Sequence, residues 1–232
     1  MLVLGINAAT PHLALALVED GRLVAELGQD VGSDHSETLF VLLETLFAWT
    51  GRRRDELAAV GVAQGPGGFT GVRTALACGK TIAQVLGIPV YGVDTLAALA
   101  MQFPGAPRVA AMLDARRGLV FAGLYGPARE VLEAPVMLPF DAWLAARPDV
   151  RGLLCVGEGA SRHREALELA GCVVPADAQM AAGATSVALH ALARLAAGVP
   201  SDGASLAPLY LREPQAVVNW EAARAGSPEP PQ

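Results

Sequence analysis

Lysine is almost missing from this chain: Lys80 is the only one in 232 residues, and the formal net charge is −6. A protein that grips nucleic acid alone needs a basic surface, because counterion release on phosphate contact supplies much of the affinity. That class is disfavoured. Cysteine is scarce too. Cys78, Cys155 and Cys172 are far apart and form no C-x-x-C pair, so neither a disulfide framework nor a zinc site is indicated and buried, reduced thiols are expected. His12, His35, His163 and His190 are isolated, with Leu39 one helical turn after His35. There is no H-E-x-x-H and no G-x-S-x-G. No apolar run approaches the ~20 residues of a membrane span, and the start has no basic leader segment; no membrane contact is expected, and the cytoplasm is the default compartment. What is abundant is apolar: 53% hydrophobic against 17% charged residues, the balance of a globular chain with a sizeable core.

The opening reads as a three-strand meander over residues 2–6, 13–18 and 23–27, with Asp20-Gly21 as a hairpin turn. Ser33 and Asp34 open a helix, Glu37 standing in a capping-box position, and Leu39, Leu42, Leu43 and Leu46 form its apolar stripe. A strand at 59–63 leads through Gly65-Pro66-Gly67-Gly68 into a helix over 70–86, with Thr70 as the expected N-cap and Gly87 as the C-cap. A strand at 90–93 follows, and Asp94 or Thr95 caps another helix. After a proline-glycine linker at 104–107 the pattern recurs: strands at 109–113, 119–125 and 130–134, a helix at 140–147, a strand at 153–156 and a helix at 161–170. Leu4-Gly5-Ile6-Asn7-Ala8 matches Ala111-Met112-Leu113-Asp114-Ala115 in pattern. A βββαβα unit present twice implies two like α/β subdomains facing a cleft, residues 1–103 and 108–225, as in the duplicated ribonuclease H-like fold of actin, hexokinase and the heat-shock ATPases. A last helix is expected over 185–197, and the proline-rich stretch 226–232 is expected to be a disordered tail.

The stretch 64–73, Q-G-P-G-G-F-T-G-V-R, delivers a glycine-rich turn to a helix N-terminus, where unpaired N–H groups can attract an anion. As a string it resembles the G-P-G-S-F-T-G-[VL]-R signature of the TsaB (YeaZ) family, with Gly68 in place of the serine. Residues 4–10 resemble that family's I-D-T-A-T opening, and Asp34-His35-Ser36-Glu37 its H-S-E triplet. Val93-Asp94-Thr95-Leu96 resembles V-S-T-L, Leu113-Asp114-Ala115-Arg116 resembles I-D-A-R, and residues 208–212 resemble P-x-Y-L-R. The matches run in family order over nearly the whole chain.

The resemblance implies a non-catalytic paralogue and partner of the transferase TsaD, forming a complex with it and with the small ATPase TsaE for threonylcarbamoyl modification of the tRNA adenosine next to the anticodon. It implies no direct tRNA contact by this chain, a homodimer when it is alone, no cofactor or metal of its own, and a nucleotide at most at the interface of the complex. A vestigial nucleotide cleft would comprise Asn7, Thr10, Gly65, Gly67, Gly68 and Asp114. An actin-like ATPase places a carboxylate where this chain has Asn7, and an amide lacks the charge that magnesium favours; an active ATPase or kinase is the competing reading. A helix apolar on more than one face is buried on more than one side, by its own chain or by another protein; the resemblance implies pairing with TsaD through the first two long helices, and so a partner surface at Phe40, Leu43, Phe47, Val72, Ala75 and Gly79.

Overall fold

A computed structural model describes residues 1–31, 35–176 and 183–211. Strands β1 (Leu2–Asn7), β2 (His12–Glu19) and β3 (Arg22–Asp30) form the expected antiparallel meander. Helix α1 (His35–Thr50) crosses to β4 (Leu57–Gly65), α2 (Phe69–Leu86) crosses to β5 (Val90–Asp94), and α3 (Thr95–Ala100) follows. The sheet order is β3-β2-β1-β4-β5, with β4 parallel to β1 and β5 parallel to β4. Both faces of this sheet are covered, so its central strands are apolar throughout rather than alternating. Leu4, Ile6, Leu15, Leu17, Val60 and Val62 share one core with Leu39, Leu43, Leu46, Val72 and Ala75 from α1 and α2. Val3, Val18, Ala59 and Tyr91 belong to a second layer on the other face.

The second unit repeats the plan. Strands β6 (Val109–Arg116), β7 (Leu119–Tyr125) and β8 (Val131–Pro139) form the meander, α4 (Phe140–Ala145) follows, and β9 (Leu154–Val156) lies parallel to β6. Their order is β8-β7-β6-β9. Val173 makes a parallel bridge to Leu154, a one-residue counterpart of the first sheet's fifth strand. Strand β8 runs beyond the expected 130–134 and contains Pro135, which an edge strand tolerates. The single helix expected over 161–170 is two, α5 (Glu158–Arg162) and α6 (Arg164–Leu169), broken at His163, whose ring stacks on Phe140 with centroids 3.8 Å apart.

Helix α7 (Thr185–Ala196), expected in the second subdomain, lies instead across the first sheet, with Ala188 and Ala191 in the layer of Val3 and Tyr91. Its docking depends on glycine. Gly5 and Gly61 are register partners on β1 and β4. A Cβ on Gly61 would stand 2.7 Å from the Val187 carbonyl oxygen, and one on Gly5 would overlap the Ala184 carbonyl. Glu26 on β3 accepts the Ala184 and Thr185 N–H groups at 3.1 and 3.0 Å, satisfying donors at the start of α7.

From α7 the chain turns around the β5 edge as a strap. The Val90 N–H donates to Ser201 Oγ at 3.0 Å and the Gly92 N–H to Asp202 Oδ2 at 2.8 Å. Edge N–H groups that would otherwise template strand pairing are thereby filled. Beyond it Leu206 enters the α1/α2-side core. The proposed caps Ser33 and Asp34 and the tail 226–232 lie outside the described residues.

Candidate functional site: the glycine-rich turn, its strap and the helix face

The two signature stretches meet in space. Gly65 leaves β4 with φ +106° and a cis bond to Pro66, and its Cα faces the Leu209 carbonyl so closely that a Cβ would stand 2.7 Å from that oxygen. The Leu209 N–H donates to the Gln64 carbonyl at 2.7 Å. On the other side the Gly68 N–H donates to the Ala9 carbonyl at 2.7 Å, and a Cβ on Gly67 would overlap that same oxygen. Gly65 and Gly67 are thus required by backbone packing on both sides. Gly68 is different: a Cβ there would sit 3.6 Å from the Ala9 oxygen, an ordinary contact. Gly68, not Thr70, is the N-cap of α2, and it supplies no side-chain hydrogen bond.

Asn7 ends β1 fully buried, and its Oδ1 accepts the Ala9 N–H at 3.1 Å, the Asx turn its residue type favours. Thr10 is buried and its hydroxyl donates to the His12 carbonyl at 3.0 Å. Asp114, two residues before the end of β6, makes the matching turn, with Oδ1 accepting the Arg116 N–H at 2.9 Å. Its Oδ2 receives Arg162 Nη1 at 3.1 Å. Glu158, one of its neighbours, is pushed above the usual carboxylate range by burial and then by the Asp114 charge. The sequence reading missed Glu158; its signal is the flanking pair Gly157 and Gly159, where a Cβ would crowd Met112 and Leu113. The Asn7 Oδ1 and the Thr10 hydroxyl hydrogen are thus engaged within their own turn, and Gly65 and Gly67 lie against the backbone of Leu209 and Ala9. Among the described residues, no three His, Cys, Asp or Glu side chains gather to hold a metal ion.

A cluster unforeseen in the sequence closes the strap on α2. Tyr210 stacks on Phe69 with centroids 5.3 Å apart, Arg73 Nε donates to the Tyr210 hydroxyl at 2.7 Å, and the Arg73 guanidinium lies 3.7 Å from the centre of the Phe69 ring. Lys80 donates to the Leu206 carbonyl at 3.2 Å. The two sheets are tied where Asp94, the N-cap of α3, accepts the Leu96 and Ala97 N–H groups at 2.7 and 3.1 Å and the Tyr125 hydroxyl at 3.5 Å. Burial pushes the Asp94 carboxyl up, against these hydrogen bonds.

Of the six residues expected on a partner surface, Phe40 alone is open, at 59% exposure. Phe47 is 6% exposed and shares the core of Leu43 and Leu46, with the Arg54 guanidinium over its ring at 5.6 Å from the centre. Val72 and Ala75 are buried in the same core. The small ridge of α2 faces its own sheet: a Cβ on Gly79 would overlap Val62. The large apolar side chains that these helices do expose are Phe40, Val41, Trp49, Phe69 and Val85.

The TsaD family model, described as tRNA N6-adenosine threonylcarbamoyltransferase, matches residues 29–147. The TsaB protein of Bacillus subtilis, named a tRNA threonylcarbamoyladenosine biosynthesis protein, is 31% identical over 175 residues, 72% of this chain and 76% of that one. YeaZ from Pseudomonas aeruginosa superimposes with a TM-score of 0.74 at 25% identity over 90% of this chain and 99% of that one. The activator of 2-hydroxyisocaproyl-CoA dehydratase from Clostridium difficile, solved with ADPNP, shares the fold at a TM-score of 0.55 and 13% identity, covering 85% of this chain and 97% of that one. On an actin-like α/β fold, this chain belongs to the TsaB (YeaZ) family of tRNA threonylcarbamoyladenosine biosynthesis proteins.

Proposed function

We propose that this chain acts in threonylcarbamoyl modification of tRNA as a non-catalytic partner subunit, pairing with a TsaD-like transferase through the outward face of α1 and α2. The observation that carries this reading is the exposure of Phe40, Val41 and Val85, at 59%, 63% and 78%, on the two helices that cover the first sheet. Large apolar side chains kept in water on adjacent helices mark an interaction face. The first two helices are coupled at their start, where the Ser36 and Thr74 hydroxyls are 3.5 Å apart.

In this reading a TsaE-like ATPase completes the complex, the chain supplies no catalytic group and needs no cofactor of its own, and tRNA is contacted by the partner. The engagement of the Asn7 amide in its own turn supports a supporting rather than a chemical role. The test is size-exclusion chromatography with light scattering on the chain mixed with the TsaD-like protein of the same organism. Phe40→Asp combined with Val85→Asp is expected to abolish a one-to-one complex while leaving the melting temperature of the free chain unchanged. A complex that survives both charges would remove this face from the account.

A further inference from the structure

Between α2 and the strap lies a groove that the proposed pairing leaves unused. Arg73, Leu76, Lys80, Leu206, Pro208 and Tyr210 line a cavity of about 300 Å³. Lys80 is also a wall of a second cavity of about 380 Å³ that continues toward Gly87 and Ser201. We infer that this groove is a docking site for an extended acidic peptide segment of a partner protein, held by Arg73 and Lys80.

Charge is the first argument. In a chain of net charge −6, the single lysine and an arginine open onto one cavity. Among the described residues neither of them makes an ion pair. Arg73 binds the Tyr210 hydroxyl through Nε alone, and Lys80 makes one bond, to the Leu206 carbonyl. The Arg73 guanidinium is held against the Phe69 ring, so binding an anion costs it little side-chain freedom.

Shape is the second. The lining is apolar at Leu76, Leu206 and Pro208 and cationic at Arg73 and Lys80. Seven residues separate Arg73 from Lys80, a rise of about 10.5 Å on one side of α2. Three residues of a polyproline II chain, one full turn, cover about 9 Å and bring side chains i and i+3 to the same side. The preferred ligand therefore carries two acidic side chains three positions apart, with apolar residues between them. From Arg73 to Gly87 the helix rises about 21 Å, room for roughly six extended residues. Lys80 and Val85 are five residues apart, about 140° around the helix. The groove and the α1/α2 face can be filled together.

The experiment selects phage-displayed random ten-residue peptides on the wild-type chain, counter-selecting on Arg73→Glu/Lys80→Glu. The consensus peptide is then measured by fluorescence polarisation. The expected consensus has two acidic residues spaced by three. Its affinity should fall tenfold or more in Arg73→Gln and in Lys80→Gln, and stay unchanged in Phe40→Asp. Because Lys80→Gln also loosens the strap, amide chemical-shift mapping on the wild type supplies a second readout, with shifts expected at residues 73–87 and 201–210. No enrichment, a neutral or basic consensus, affinity indifferent to both substitutions, shifts elsewhere, or displacement by inorganic phosphate in place of peptide would each overturn the inference.

Discussion

The seating of α7 on the first sheet can be tested at one hydrogen atom. Gly61 is in a strand with no positive φ, so alanine there meets no backbone objection. Its Cβ, however, would stand 2.7 Å from the Val187 carbonyl oxygen and 2.8 Å from Ala191 Cβ. Ordinary contact begins near 3.4 Å, so the shortfall to the carbonyl is 3.4 − 2.7 = 0.7 Å. Backbone cannot rotate away as a side-chain tip does, so α7 must lift along its length and loosen Val187, Ala188 and Ala191 from the sheet. Overpacking of this kind costs ~1–3 kcal/mol. The stiffer unfolded chain returns ~0.4–1 kcal/mol. The middles of these ranges leave a net loss of ~1.3 kcal/mol, which lowers the melting temperature of a chain this size by roughly 3–5 °C. Circular dichroism melts of Gly61→Ala beside the wild type measure it. An unchanged or raised midpoint would refute the α7 placement, and with it the reason for glycine at both register positions.

Other consequences follow from single side chains. Phe47→Asp, in the core, is expected to lose upwards of ~3 kcal/mol and unfold the first unit, whereas Phe40→Asp leaves the melt unchanged; equal effects would mean the burial pattern of α1 is wrong. Gly68→Ser should raise stability by a few tenths of a kcal/mol by adding a side-chain N-cap, and a drop in melting temperature would show that the turn has no room for it. Burial alone would raise the Asp202 carboxyl, but Arg194 and the Gly92 N–H hold it below its ordinary value. Its contribution is thus complete above the unfolded value near ~3.9 and lost as pH falls through the lower folded value. Asp202→Asn should flatten the acid limb of the stability curve. Asp94 has the opposite sign: burial raises its folded pKa, so its contribution is present below the unfolded value and lost as pH rises through the folded one. Asp94→Asn keeps a good N-cap and should stabilise the chain at pH 7 but not at pH 3; destabilisation at pH 7 would count against the burial argument.

Periodicity and turn chemistry exposed the repeated meander, the glycine-rich turn and the equivalence of Asn7 with Asp114, because each depends on neighbours in sequence. What they left hidden depends on which layer an apolar stripe meets. The stripe of α7 reads the same whether it covers its own sheet or another; Gly5 and Gly61, more than fifty residues apart from each other, decide the matter. Phe40 and Phe47 share a side of α1 at two-turn spacing, yet the chain returning after the helix lays Arg54 over Phe47 and leaves Phe40 in water. The stack of Phe69, Arg73 and Tyr210 joins residues 137 positions apart, beyond any local rule.

The most direct measurement of the central claim is a reconstituted transfer reaction: TsaD-like subunit, TsaE-like ATPase, threonylcarbamoyl-adenylate and tRNA, with and without this chain, read by mass spectrometry of the modified adenosine. The account predicts modification only when the chain is present, loss with Phe40→Asp/Val85→Asp, and full activity with Asp114→Asn. Modification by the partners without this chain, or by this chain without them, would contradict it.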